Sequence, residues 1–158
     1  MDFEKRAKEI ISKIPYITIA SLSKEGEPWN TPVFSAHDEN YNFYWGSYRE
    51  SQHAKNIRIN PNVFLVIYDS TVLPGTGEGV YIKAVSEELE DPKEIEIVHR
   101  LLKDRHVVPY WKIGEVKGDS PIRLYKARPN KVWMNSEGSV NGHYVDTRVE
   151  INTKQWCN

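Results

Sequence analysis

The chain has 158 residues, with 21 Lys plus Arg against 22 Asp plus Glu and a formal charge of -1, so it lacks the positive surplus that condenses on a nucleic-acid backbone. Its length suits one domain, 1–158, built on one core, and its longest apolar run, "FLVIY", is far too short to span a bilayer. The one cysteine, Cys157, can neither staple the chain nor build a thiolate metal site, which makes a reducing cytoplasm the simplest setting, with neither nucleic acid nor membrane as partner.

The opening stretch, "MDFEKRAKEIISKIP", mixes charge with apolar residues and lacks the apolar block of a secretion signal. Phe3, Ala7, Ile10, Ile11 and Ile14 fall at helical spacing and Pro15 follows, which predicts an amphipathic helix lying on a core. Next come "YITIASLS", cut by "KEGEP", then "WNTPVFSAH", separated from "NFYWGS" by "DEN". These read as three strands of a meander.

A short helix over 51–59 follows, stopping before Pro61, and leads into the apolar strand "NVFLVIYD". The loop "STVLPGTGEG" connects to the strand "VYIKAVSEEL". Asp91-Pro92 starts a second long helix with Ile95, Val98, Leu101 and Leu102 on one face and Glu94, Glu96, Arg100 and Lys103 outside it. After the connection "HVVPYWKIGEVKGDS", the segments "IRLYKAR", "KVWMNS" and "HYVDTRVEI" complete the strands. Six or seven strands with two or three helices predict a mainly β, mostly antiparallel barrel with helices at its ends.

The helix over 51–59 raises a question of charge. Ser51 is a good N-cap, and His53, Lys55 and Arg58 follow it, with Arg49 just before. Cations in a first turn oppose the helix dipole unless an anion is bound there, where free backbone N–H groups and basic side chains act together. The helix is therefore either a phosphate cradle or a solvated polar face anchored by Ala54, Ile57 and Ile59.

Other patterns exclude chemistry. "PGTGEG" opens a strand, whereas a dinucleotide fingerprint opens a helix, so it reads as a strand connection. The five histidines, 37, 53, 99, 106 and 143, show no zinc spacing, no metal site is expected, and His99 reads as a packed or partly exposed histidine. There is no Gly-x-Ser-x-Gly, and Cys157 has no neighbouring histidine, so a hydrolase has little support. Tyr16, Tyr44, Trp45, Tyr48 and Trp111 suit either the core or a stacked ring.

The order "FYWGS", "SQHAKNIRINPNV", "FLVIYDS", "PGTGEGVYI" resembles the pyridoxamine 5'-phosphate oxidase-like family of FMN-binding split barrels. That resemblance implies a six- to seven-stranded antiparallel split barrel, a homodimer with the cofactor at the subunit interface, and FMN held by its phosphate at the start of the short helix. By position, Trp45, Gly46 and Ser47 end the strand of the phosphate pocket, and Ser51 is the helix-start serine. Gln52 and His53 stand where many members carry arginine and lysine, and Lys55 adds charge. Asn30, Thr31, Pro32 and Val33 correspond to the segment beside the flavin ring, while Trp133 and Arg148 correspond to residues reaching it from the second subunit.

The Arg-x-His-Asp-Arg signature and terminal Arg-Leu-x-Pro of true pyridoxamine phosphate oxidases are replaced here by His143, Val145, Asp146, Arg148 and the ending "KQWCN". The resemblance therefore implies an FMN-dependent oxidoreductase other than a vitamin B6 oxidase, passing electrons between a reduced nicotinamide or similar donor and a small organic acceptor. A non-catalytic flavin, deazaflavin or haem-binding protein of the same fold is the alternative. No catalytic residue is singled out.

Overall fold

A computed structural model describes residues 2–106 and 110–153; Cys157 lies outside the described residues. Helix α1 (Phe3–Lys13) starts where the Asp2 carboxylate accepts from the Lys5 N–H at 3.0 Å, and it buries Ala7, Ile10 and Ile11. Strands β1 (Tyr16–Leu22) and β2 (Pro28–Phe34) then form a hairpin in which Ile17, Ile19 and Val33 point inward. Its turn needs a left-handed residue, supplied by Gly26 at φ 83°.

The predicted meander breaks at this point. β3 (Ala36–His37) and β4 (Phe43–Tyr48) pair with each other, but β4 continues against β7 (Ile122–Val140), with Trp45 opposite Tyr125 and Ser47 opposite Arg123. The cause is burial. Phe43 and Trp45 are inserted into the main core while Tyr44 packs against the helix on the opposite side, and only a place beside β7 covers both faces.

Helix α2 (Gln52–Ile59) ends at Asn60, whose extended backbone is what a residue before proline favours. It feeds β5 (Asn62–Tyr68), then β6 (Gly79–Glu88), helix α3 (Pro92–Arg105) and, after a 3-10 turn at Ile113–Glu115, β7 and β8 (His143–Ile151). Asp91 caps α3 by accepting from the Lys93 N–H at 2.7 Å and the Glu94 N–H at 3.4 Å. The segments "IRLYKAR" and "KVWMNS" are a single strand: β6 pairs Lys83 with Lys131 but Ala84 with Pro129, so Asn130 is an extra residue bulged out of register. A bulge is where a strand tolerates proline, which has no N–H for the ladder.

Eight strands are thus present among the described residues, in the order β2-β1-β5-β6-β7-β4-β3 with β8 on β7, and every pairing is antiparallel. The sheet curls around one apolar cluster that includes Ile19, Trp45, Leu65, Ile82, Tyr125 and Met134, closed by α1 and α2. A second cluster, with Ala36, Tyr44, Val98, Leu102 and Leu124, sits beneath α3. No described helix is long and apolar enough to cross a membrane.

Candidate functional site

Strand β2, at one end of the curled sheet, and β4, next to the other end, share no ladder. Between them lies a cavity of about 450 Å³ lined by Thr31, Pro32, Val33, Phe34, Gly46, Ser47, His53, His106, Tyr110 and Trp111. That volume falls in the range of roughly 300–1,000 Å³ occupied by small-molecule sites.

One end of the cavity is polar. Ser47 Oγ, Ser51 Oγ and His53 Nε2 converge, with Ser51 Oγ 3.4 Å from each of the other two. Ser51 Oγ donates to the Tyr48 carbonyl at 2.7 Å and makes no cap bond to α2. The first turn of α2 also carries no acidic side chain. A helix start without a side-chain cap presents N–H groups to an anion. His53 is 4% exposed, and burial pulls its pKa below the ordinary imidazole value, so it enters the site as a neutral group.

The cations of this region point elsewhere. Lys55 pairs with Glu50 at 3.4 Å, and Arg58 lies 3.8 Å from both Glu50 and Glu88. Glu88 also receives Arg49 at 3.4 Å and Arg123 at 3.2 Å. The start of the helix faces the cavity, while its charged side chains form an ion-pair network outside it.

The other end is aromatic. Phe34 meets His106 edge-on with centroids 4.6 Å apart, His106 meets Tyr110 at 5.4 Å, and Tyr110 meets Trp111 at 5.2 Å. His99, on α3, holds this wall in place: its Nε2–H donates to the Trp111 carbonyl at 2.6 Å, which fixes the ring tautomer. Trp111 packs against Gly46, where a Cβ would lie 2.3 Å from Cζ3. The Tyr110 hydroxyl is buried and has no hydrogen-bond partner among the described residues.

The residues expected at the site divide into three groups. Thr31, Pro32, Val33, Gly46, Ser47 and His53 line the cavity, with Ser51 at its edge. Asn30, Trp45, Gln52 and Lys55 do not line it. Asn30 is exposed beside Ala20, and Gln52 donates to the Asn56 amide oxygen at 2.8 Å. Trp45 is fully buried and stacks on Tyr125 at 5.7 Å, because strand alternation turns it into the barrel core. Trp133 and Arg148 form the third group, on the outer face of the sheet: Trp133 stacks on Phe64 at 6.2 Å, and the Arg148 guanidinium lies 3.9 Å above the Tyr81 ring. Phe34, His106 and Tyr110 are the lining residues that the sequence reading leaves out, and the signal for two of them was the dense "HVVPYW" after α3.

A family model described as pyridoxamine 5'-phosphate oxidase matches residues 3–136. The chain belongs to that family. Solved structures similar to it include a candidate 5-nitroimidazole antibiotic resistance protein from Bacteroides thetaiotaomicron, at 14% identity and TM-score 0.70, covering 85% of this chain and 84% of the other. The haem storage protein HutZ from Vibrio cholerae aligns at 18% identity and TM-score 0.68, covering 84% and 94%. A haem-binding protein from Mycobacterium smegmatis aligns at 18% identity and TM-score 0.66, covering 89% of this chain and 55% of its own. Identities this low carry the fold alone. Comparison with curated proteins gave no match.

Proposed function

We propose that this pyridoxamine 5'-phosphate oxidase family member is a flavoprotein that holds FMN between β2 and β4 and serves as an oxidoreductase for a small organic acceptor, with a reduced nicotinamide or similar donor. The observation that carries the reading is the cavity's polarity: a helix start without a side-chain cap, with Ser47, Ser51 and His53, and an aromatic wall that includes Trp111 over Gly46. The donor set fits a phosphate, and the wall fits a planar ring. When bound, FMN supplies the redox chemistry. The chain's own part is to hold the phosphate with Ser47, the α2 N–H groups and Ser51, whose O–H would turn to it from the Tyr48 carbonyl, to place the ring along Thr31–Val33, and to keep water out with Phe34 and Trp111.

The same reading includes a homodimer. Pro32 lies opposite Thr18, which lies opposite Val66, then Tyr81, then Trp133 across the sheet. This stripe is continuous with the cavity through Pro32, so a second copy seated on the outer face brings Trp133 and Arg148 to the partner's site. Exposed Tyr16 and Tyr68 flank it, and apolar area of this kind marks an interface.

A second reading is a binding protein for haem, supported by His53 and His106 in the cavity wall and by the haem proteins among the structural relatives. Titration of the purified chain with FMN and with haemin, followed by NADH or NADPH oxidation with quinone or dye acceptors, separates these readings. FMN binding with turnover supports the oxidoreductase, FMN binding without turnover leaves a flavin carrier, and haemin binding alone overturns the flavin reading.

A further inference from the structure

His53 is 4% exposed and lines the cavity between β2 and β4, yet among the described residues it makes a single polar contact, from Nε2 to Ser51 Oγ at 3.4 Å. The Ser51 hydroxyl gives its one hydrogen to the Tyr48 carbonyl at 2.7 Å, so towards the ring its oxygen accepts and Nε2 carries the N–H. Nδ1 of the neutral ring is then a bare lone pair. It is not sealed in the core either: among the described residues the buried side-chain nitrogen and oxygen atoms without a partner are Trp45 Nε1 and Tyr110 Oη. Nδ1 therefore keeps accessible surface, and the open space that His53 lines is the cavity.

A phosphate dianion seated against Ser47, Ser51 and the first N–H groups of α2 meets an acceptor at Nδ1, and contact between the two requires a proton. In the free chain no counter-ion holds that proton on the ring. Of the strands packed against α2, β1 carries only the exposed Tyr16 as an ionisable side chain and β2 carries none. On β6, Tyr81 lies under Arg148, Lys83 is exposed, Glu87 pairs with Arg128, and Glu88 pairs with Arg49, Arg58 and Arg123. On β4, Tyr44 donates to Asp38 and Tyr48 is exposed. Lys55 and Arg58 of α2 itself pair with Glu50, and the ionisable groups sharing the cavity wall are His106 and Tyr110. Burial without a counter-ion keeps the free imidazole neutral, and an arriving anion supplies the missing charge.

We propose that His53 is a proton-linked phosphate ligand: binding of a phosphate monoester in this cavity places one proton from solvent on Nδ1, and the imidazolium donates through Nδ1 to a phosphate oxygen while Nε2 keeps its bond to Ser51. The inference rests on the flavin reading for the identity of that ester. Its consequence is a pH-dependent affinity. A ligand whose binding takes up one proton is held about tenfold more weakly for each unit by which pH rises, over the range between the value of the imidazole in the free chain and its higher value in the complex.

The test is isothermal titration calorimetry of the full-length chain at pH 7.5, with FMN and riboflavin as probes, in two buffers that differ in heat of ionisation. A phosphate monoester, with a second pKa of about 6, is already a dianion at that pH, so a proton gained on binding comes from the buffer. The wild type is expected to take up about one proton per FMN and none per riboflavin, and its affinity for FMN to fall about tenfold between pH 7 and pH 8. His53→Gln, which keeps a donor but cannot titrate, is expected to take up none and to bind FMN equally at both pH values. FMN binding by the wild type without proton uptake overturns the assignment, and that measurement needs no variant. Uptake that is equal for riboflavin, or that survives in His53→Gln, overturns it as well. A wild type that binds neither flavin instead overturns the flavin reading on which the assignment rests.

Discussion

The indole of Trp111 occupies the space that any side chain at position 46 would need: a Cβ on Gly46 would stand 2.3 Å from Trp111 Cζ3. The strand end and the connection after α3 are therefore fitted to one another, and the cavity depends on that fit. Gly46→Ala should lower stability by about 1–3 kcal/mol through overpacking and weaken FMN binding. Thermal melts and tryptophan fluorescence check this. Adding Trp111→Leu should restore most of the lost stability but not the binding, since the relief is local while the wall is gone.

His53 provides a pH test. Its folded pKa lies below the ordinary value of about 6.5 because of burial. Between the two values the unfolded chain binds the proton and the folded chain does not, so stability is fully present above about pH 6.5 and declines as pH falls toward the folded value. His37, half-buried and with a pKa lowered by desolvation, adds to the same slope. Thermal midpoints recorded from pH 8 to pH 5.5 should fall across this window, and His53→Gln should flatten the profile.

The outer face carries the prediction about assembly. Phe64 stacks on Trp133, and Arg148 covers Tyr81, all on the side of the sheet opposite the core. Phe64→Lys should turn a dimer into a monomer in light scattering, at a cost of about 1 kcal/mol or less in the fold itself. A wild type that runs as a monomer at all concentrations contradicts the interface.

Glu88 separates structure from binding in the basic cluster. With its side chain 13% exposed, it meets Arg49, Arg58 and Arg123 and accepts from the Tyr125 hydroxyl at 3.4 Å. Glu88→Gln should destabilise by about 2–3 kcal/mol, since three guanidinium groups lose their shared anion. Glu50→Gln, at a residue whose side chain is 77% exposed, should change stability by less than about 0.5 kcal/mol. Urea denaturation distinguishes the two.

Local signals in the sequence were strong where local physics decides. Asp2 and Asp91 cap the helices, and apolar spacing locates α1 and α3, as does alternation for β1, β5 and β6. What stayed hidden depended on distant partners. The place of β4 is set by β7, nearly 80 positions later in the chain, and one of the two partners of Arg58 is Glu88 on β6. Arg128-Pro129-Asn130 looked like a break because proline removes a ladder bond, yet a bulge absorbs it. Order of elements placed Ser47, His53 and the β2 segment at the cavity, and strand alternation alone would have sent Trp45 to the core. The aromatic wall was missed because His106 and Tyr110 acquire Phe34, Trp111 and Gly46 as neighbours only in the folded structure.

The most direct test of the central claim is the visible absorption spectrum of the full-length chain after incubation with FMN and desalting, with mass analysis of what denaturation releases. A retained flavin spectrum, an FMN mass, and loss of both in Ser47→Asp, which sets a carboxylate against the phosphate, are the predicted result. A colourless wild type, or full retention of FMN by Ser47→Asp, contradicts the cavity between β2 and β4 as the flavin site.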